Sequence, residues 1–162
     1  MHDTSWLDSA RGYIDLGMLD DAWEELEKLS PDLQELAPTI ELRIVIRLDQ
    51  ENYPEAFALC EALTTAYPNL HSGFVQGGFC LHAAGETAKA VDFLQSGPAS
   101  LKDEPVYYYN LACYEVALGR SQAALTWLKR SIKLNPRNRA IAKADPDLAP
   151  LVEQLEETSE RA

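Results

Sequence analysis

The sequence predicts an all-α protein, a solenoid of four antiparallel helix hairpins with one further helix at its end, and three observations lead there. Ala22, Ala56, Ala90 and Ala124 recur at a fixed interval of 34 residues, a spacing typical of stacked helical repeats. Each alanine stands just past a turn-forming stretch rich in Gly, Asn or Asp, and four residues later comes Leu26, Cys60, Leu94 or Leu128, the spacing of one helix face. A large residue lies 16 places upstream (Trp6, Ile40, Phe74, Tyr108) and a small one 12 places upstream in three cases of four (Ala10, Gly78, Ala112; Ile44 is the exception). Small side chains let the two helices of a hairpin approach closely, and large ones fill the space to the next hairpin.

In chain order the hairpins fall at about 4–37, 38–71, 72–105 and 106–139, with a capping helix at about 145–159, all within a single domain. "LGMLDDA", "DQENYPEA", "AGETAKA" and "LGRSQAA" mark the bends inside them. In the third hairpin, Gly97 and Pro98 of "QSGPAS" should stop the second helix early. After Pro136, Asp145 and Pro146 read as the N-cap and first position of a helix that carries Leu148, Leu151, Val152 and Leu155 on one face. Such an amphipathic helix covers the apolar face of a last repeat.

Composition sets limits on function. With 162 residues, 46% hydrophobic and 25% charged, the chain is long enough and apolar enough for a real core. It has neither a basic, then apolar, leader nor a run approaching the roughly 18 apolar residues of a membrane span, so a cytoplasmic protein without membrane contact is expected. Cys60, Cys80 and Cys113 form no CxxC pair and read as reduced core thiols. The net charge of −12 opposes nucleic-acid binding. That charge is uneven: residues 1–70 hold 15 Asp/Glu against 4 Lys/Arg, a net of −11, whereas residues 71–162 hold 11 against 10, a net of −1.

The period and its marker residues resemble the tetratricopeptide repeat family. The first repeat matches with Trp6, Ala10, Tyr13 and Ala22, the second with Ala56 and Pro68, the third with Gly78, Gly85 and Ala90. The fourth matches best, through "YNLACYEVALGRSQAALTWLKRSIKLNP", which closes on Pro136. Gln34 and Lys102 depart from the pattern, standing where the family has a closing proline. The resemblance implies a right-handed solenoid whose first helices line a concave groove, and the closing segment is similar to that of many bacterial members, which implies a bacterial source.

Chemistry is sparse. His2, His71 and His82 form no HExxH or Cys/His cluster, so no metal is expected, and no cofactor motif is present. The glycines of "GFVQGGF" make a packing face, not a phosphate loop. Cys113 as a nucleophile with His82 as its base is the sharpest catalytic alternative, but no oxyanion donors or third orienting group accompany it. Acid pairs such as those in "DDAWEELE" read as a solvated helix face. The expectation is therefore a protein that is not an enzyme.

Carried over residue by residue, the resemblance places Asp8, Arg11, Ile14, Asp15, Glu41, Leu42, Val45, Leu48, Asp49, Val75, Gln76, Phe79, His82, Tyr109, Asn110, Cys113 and Val116 on the groove. The family's two-carboxylate clamp needs Lys, Arg and Asn at these places; only Arg11 and Asn110 qualify, at opposite ends, so that mode should be absent. What remains, the strip of Leu42, Val45, Val75, Phe79, Tyr109 and Val116, suits a protein or peptide partner with apolar anchors and a basic flank, the alternative being that the C-terminal helix or packing between first helices covers part of it. The resemblance also allows a secretion-type chaperone that holds an extended client. A third reading is self-assembly, with the acidic N-terminal end against the basic strip of Lys129, Arg130, Lys133, Arg137, Arg139 and Lys143.

The consecutive Tyr107, Tyr108 and Tyr109 lie about 100° apart on a helix and cannot share a face. Tyr108 is expected in the core, Tyr107 against the preceding hairpin, and Tyr109 at a groove place beside Phe79, where its loss should weaken partner binding with little effect on stability.

Overall fold

A computed structural model describes residues 5–160; His2 and the expected start of the first hairpin at residue 4 lie outside the described residues. After a 3-10 turn at Ser5–Leu7, helices α1 (Asp8–Asp15) and α2 (Leu19–Glu27) form the first hairpin. A short α3 (Pro31–Gln34) leads to α4 (Ala37–Asp49), which pairs with α5 (Tyr53–Ala66). Helix α6 (His71–Ala83) pairs with α7 (Thr87–Gln95) and, beyond a 3-10 turn at Ala99–Asp103, α8 (Pro105–Ala117) pairs with α9 (Ser121–Leu134). Helices α10 (Asn138–Ala144) and α11 (Ala149–Glu160) follow. Among the described residues there is no strand. First helices pack on first helices (α1 on α4, α4 on α6, α6 on α8), while α2, α5 and α7 each pack on the first helix that follows. This nearest-neighbour stacking is an all-α solenoid, and its first helices form one continuous row.

The residues that set the period are the residues that close the hairpins. Ala22, Ala56, Ala90 and Ala124 are all 0% exposed, as are Leu26, Cys60, Leu94 and Leu128. Sixteen places upstream of the alanines, Ile40 and Phe74 are buried, whereas Trp6 and Tyr108 in the outer hairpins are half-buried. An inner hairpin has a neighbour on each side, and an outer one has a single neighbour of its kind.

The bends repeat to the hydrogen bond. Met18 N–H donates to Tyr13 C=O, Asn52 to Arg47, Glu86 to Leu81 and Arg120 to Glu115, at 2.8–2.9 Å. The residue before each donor, Gly17, Glu51, Gly85 or Gly119, has a positive φ. These are four copies of one Schellman closure, in which a left-handed residue turns the chain out of the first helix. Glu51, at φ 55°, is the one non-glycine with positive φ among the described residues. A side chain there costs about 1–2 kcal/mol, part of which a glycine would return as chain entropy. Glu51→Gly is therefore expected to stabilise the protein by about 0.5–1 kcal/mol and raise Tm by about 1–4 °C in a thermal melt.

Close packing also explains the glycines of α6. A Cβ at Gly77 would lie 2.3 Å from the Phe93 ring, and one at Gly78 would lie 3.1 Å from the Tyr114 hydroxyl. The ten-upstream place, never singled out in the sequence, forms a second buried series: Ile46, Cys80 and Tyr114 are at most 2% exposed and pack against the preceding hairpin. Its first member, Gly12, has no preceding hairpin and is exposed.

Of the local expectations, one holds and one needs adjustment. The second helix of the third hairpin does stop before Gly97, at Gln95, but Leu101 of the following 3-10 turn is 0% exposed and fills the space beside Leu94. The final helix begins at Ala149, not at Pro146: residues 145–148 form a turn in which the Asp145 carboxylate accepts from the Asp147 N–H at 3.1 Å. Helices α3 and α10 have no counterpart in the sequence reading; α3 begins on Pro31, which suits a first helical turn.

Candidate functional site

The row of first helices carries the residues expected in the groove, and the structure divides them into two groups. The fourth-hairpin group is half-buried against the C-terminal helices. Tyr109, Cys113 and Val116 pack against the cluster of Ala112, Leu128, Ala142, Leu148, Leu151, Val152 and Leu155, which unites α8 and α9 with the C-terminal helices. The Tyr109 hydroxyl donates to Asp145 Oδ2 at 2.9 Å, and burial together with that bond pushes the phenol's pKa up. Tyr109 is thus a strut between α8 and the C-terminal segment, which corrects the expectation that its loss would leave stability almost unchanged. The cause lies in the 145–148 turn, which brings a carboxylate over the helix.

The first three hairpins keep an open face. On α6, Val75, Gln76, Phe79 and His82 follow at spacings that share one side of a helix. Phe79 is 48% exposed. Gln76 Oε1 is buried and has no hydrogen-bond partner among the described residues. Val75 leans on the core cluster of the third hairpin. On α4, Leu42 packs against the first hairpin's core, Val45 and Leu48 are half-buried, and Glu41 accepts a bond from the Ser72 hydroxyl at 2.5 Å. Asp49 is exposed, as are Asp8, Arg11 and Asp15 on α1, while Ile14 is half-buried. Asn110 of α8 is half-buried.

Electrostatics at this end is set by where the few cations go. Arg11 pairs with Asp8 at 3.4 Å and Lys28 with Glu25 at 2.5 Å. Arg47 lies 3.6 Å over the Trp23 ring with its Nε 2.6 Å from Glu55, and Arg43 sits 5.4 Å from the same ring and donates to Gln34. The two arginines therefore tie α4 to α2 as a cation–π stack. Asp15 and Asp49 have no ion-pair partner among the described residues.

The Cys113–His82 pair is not assembled. His82 Nδ1 is 3.0 Å from the Thr87 hydroxyl, and its ring stacks 5.0 Å from Tyr114, the residue after Cys113. Burial, then the charges of Asp145 and Asp147, push the Cys113 thiol up to about 12, away from the thiolate that a nucleophile needs. Among the described residues no group of three or more His, Cys, Asp or Glu could hold a metal, and no helix is long and apolar enough to cross a membrane.

The same architecture occurs in solved proteins of low sequence identity. PilF of Pseudomonas aeruginosa superposes with a TM-score of 0.74 at 16% identity, over 94% of this chain and 68% of that one. TTC0263, a thermophilic TPR protein of Thermus thermophilus, superposes with a TM-score of 0.70 at 18% identity, over 92% of this chain and 78% of that one. The chain has the tetratricopeptide-repeat fold. The type III secretion translocator chaperone SycD of Yersinia enterocolitica also shares it, with a TM-score of 0.65 at 16% identity over 82% of this chain and 98% of that one. No protein-family model matches the sequence, and no curated protein matches it.

Two features of this tetratricopeptide-repeat face escaped the sequence reading. The unsatisfied Gln76 oxygen depends on a local fit that no spacing rule encodes. The contact of the C-terminal segment with the fourth hairpin is in line with the alternative that this segment covers part of the strip, but the Tyr109–Asp145 bond that fixes it was not foreseen.

Proposed function

We propose that this protein is a non-catalytic interaction module that holds a peptide segment of another protein along the face of its first three hairpins. The observation that carries the reading is the α6 face, where Phe79 is 48% exposed. A half-exposed phenylalanine on a helix face offers an apolar anchor point for an extended or helical ligand. Val45, Val75 and Leu48 extend the apolar strip, and Asp8, Asp15, Glu41 and Asp49 favour a basic flank on the ligand.

Peptide selection against the wild-type protein tests this. Phe79→Ala is expected to weaken the selected peptide by about 2 kcal/mol, roughly thirtyfold, while shifting stability by less than about 1 kcal/mol. Binding should also weaken as salt rises. Wild-type affinity in the variant, or affinity indifferent to salt, contradicts the reading.

A second reading, a chaperone that holds an extended client, is favoured by the likeness to SycD. It uses the same face and differs in outcome: the partner would aggregate without this protein and stay soluble with it.

A further inference from the structure

The basic strip contains a built feature that the groove does not use. On the outside of the fourth hairpin, Tyr108 and Trp127 line an open hollow of about 410 Å³, with Thr126, Lys129, Arg130 and Lys133 around it. The two rings are 5.7 Å apart and tilted by 31°, and the Arg130 guanidinium lies 5.7 Å from the Tyr108 ring. Lys129, Arg130 and Lys133 are exposed, and none has an ion-pair partner among the described residues. Among the described residues, Lys143 is the one member of the wider strip with an ion pair, to Glu156 at 3.8 Å.

The helix dipole does not account for this. Helix α9 ends at Leu134, so Lys133 lies in the last turn, but Lys129 and Arg130 precede it, and the dipole's effect fades within that turn. Like charges three and four residues apart repel, and residues 116–144 contain no acid to relieve them. In a chain of net charge −12, an aromatic hollow ringed by unpaired cations matches a ligand that is acidic and apolar at once.

The chain itself presents such a surface. At the bend between α1 and α2, Leu16 is 74% and Met18 42% exposed, the largest apolar exposure at any of the four bends. Asp15, Asp20 and Asp21 are exposed around them, with one Asp20 oxygen accepting from Gln50. We propose that the Tyr108–Trp127 hollow receives the Leu16–Met18 bend of a second copy, with Lys129, Arg130 and Lys133 facing Asp15, Asp20 and Asp21. Because the two surfaces differ, the contact is head-to-tail and each pairing leaves one free hollow and one free bend.

Sedimentation equilibrium tests this with two variants, Lys129→Glu/Arg130→Glu/Lys133→Glu and Asp15→Lys/Leu16→Ser/Asp21→Lys, each checked for wild-type helicity. Wild type is expected to gain mass with concentration at low salt and lose it at high salt. Each variant alone should stay monomeric, its association weakened at least about tenfold. Mixed in equal amounts, the hollow of the second variant meets the bend of the first, and the pair should assemble into a two-chain species and no further. Association of the first variant at wild-type strength, or a mixture that stays monomeric, overturns the proposal. So does a wild-type chain that is monomeric throughout and whose hollow instead binds an acidic, leucine-containing peptide; that result assigns the hollow to a different protein.

Discussion

Replacing Leu148 and Leu151 together with alanine is expected to cost about 5 kcal/mol, the largest loss anticipated for any change outside the hairpins. Both side chains are buried, at 0% and 4% exposure, and both belong to the cluster that covers α8 and α9. Each buried Leu→Ala change costs about 2–5 kcal/mol, and the two are near enough to share one cavity, so the sum falls short of additive. Against a typical total of about 5–15 kcal/mol the fourth hairpin should lose its cover. Since stacked repeats are stabilised by their neighbours, the loss should be local first. Hydrogen exchange is expected to accelerate over α8 and α9 while α4 and α6 keep their protection. Uniform acceleration along the chain would show that the solenoid unfolds as one block.

The three tyrosines supply the second large effect and separate three kinds of contact. Tyr107 is 5% exposed among Phe74, Leu94, Leu101 and Leu111, with its ring edge-on to Tyr108 at 5.0 Å. Tyr107→Ala is expected to cost about 4 kcal/mol in a urea titration, the usual loss for emptying a buried aromatic site. Tyr108 is half-buried on Trp127, so Tyr108→Ala should cost about 1–2 kcal/mol. Tyr109→Phe removes only the hydroxyl that reaches Asp145 and should cost about 1–2 kcal/mol. If Tyr108→Ala proved the most damaging, the assignment of these faces would be wrong.

That ranking departs from the one expected from the sequence, which gave Tyr108 the core place, and the reason is geometric. Equivalence at a period of 34 matches Tyr108 with Ile40 and Phe74, but those residues have hairpins on both sides, whereas Tyr108 borders an open hollow beside Trp127. Repeat position was legible because one hairpin geometry recurs four times, down to the alanines and the left-handed bends. What each position touches was less legible at the ends, where the neighbour is absent or is a helix of another kind. The series Ile46, Cys80 and Tyr114 was missed for a related reason: its members share burial against the preceding hairpin but no chemical likeness. The sequence did not reveal that Asp145 would accept a bond from Tyr109.

The central proposal is that a partner binds over the first three hairpins, and that the C-terminal helices packed on the fourth keep it away there. A photo-reactive phenylalanine analogue placed in turn at residue 79 and at residue 116 tests it most directly. Phe79 is 48% exposed on α6, whereas Val116 packs under the C-terminal cluster. Irradiation with the bound partner should yield a covalent adduct from position 79, and position 116 should instead link to the chain's own C-terminal segment. Partner adducts from position 116 with none from position 79 would contradict the account.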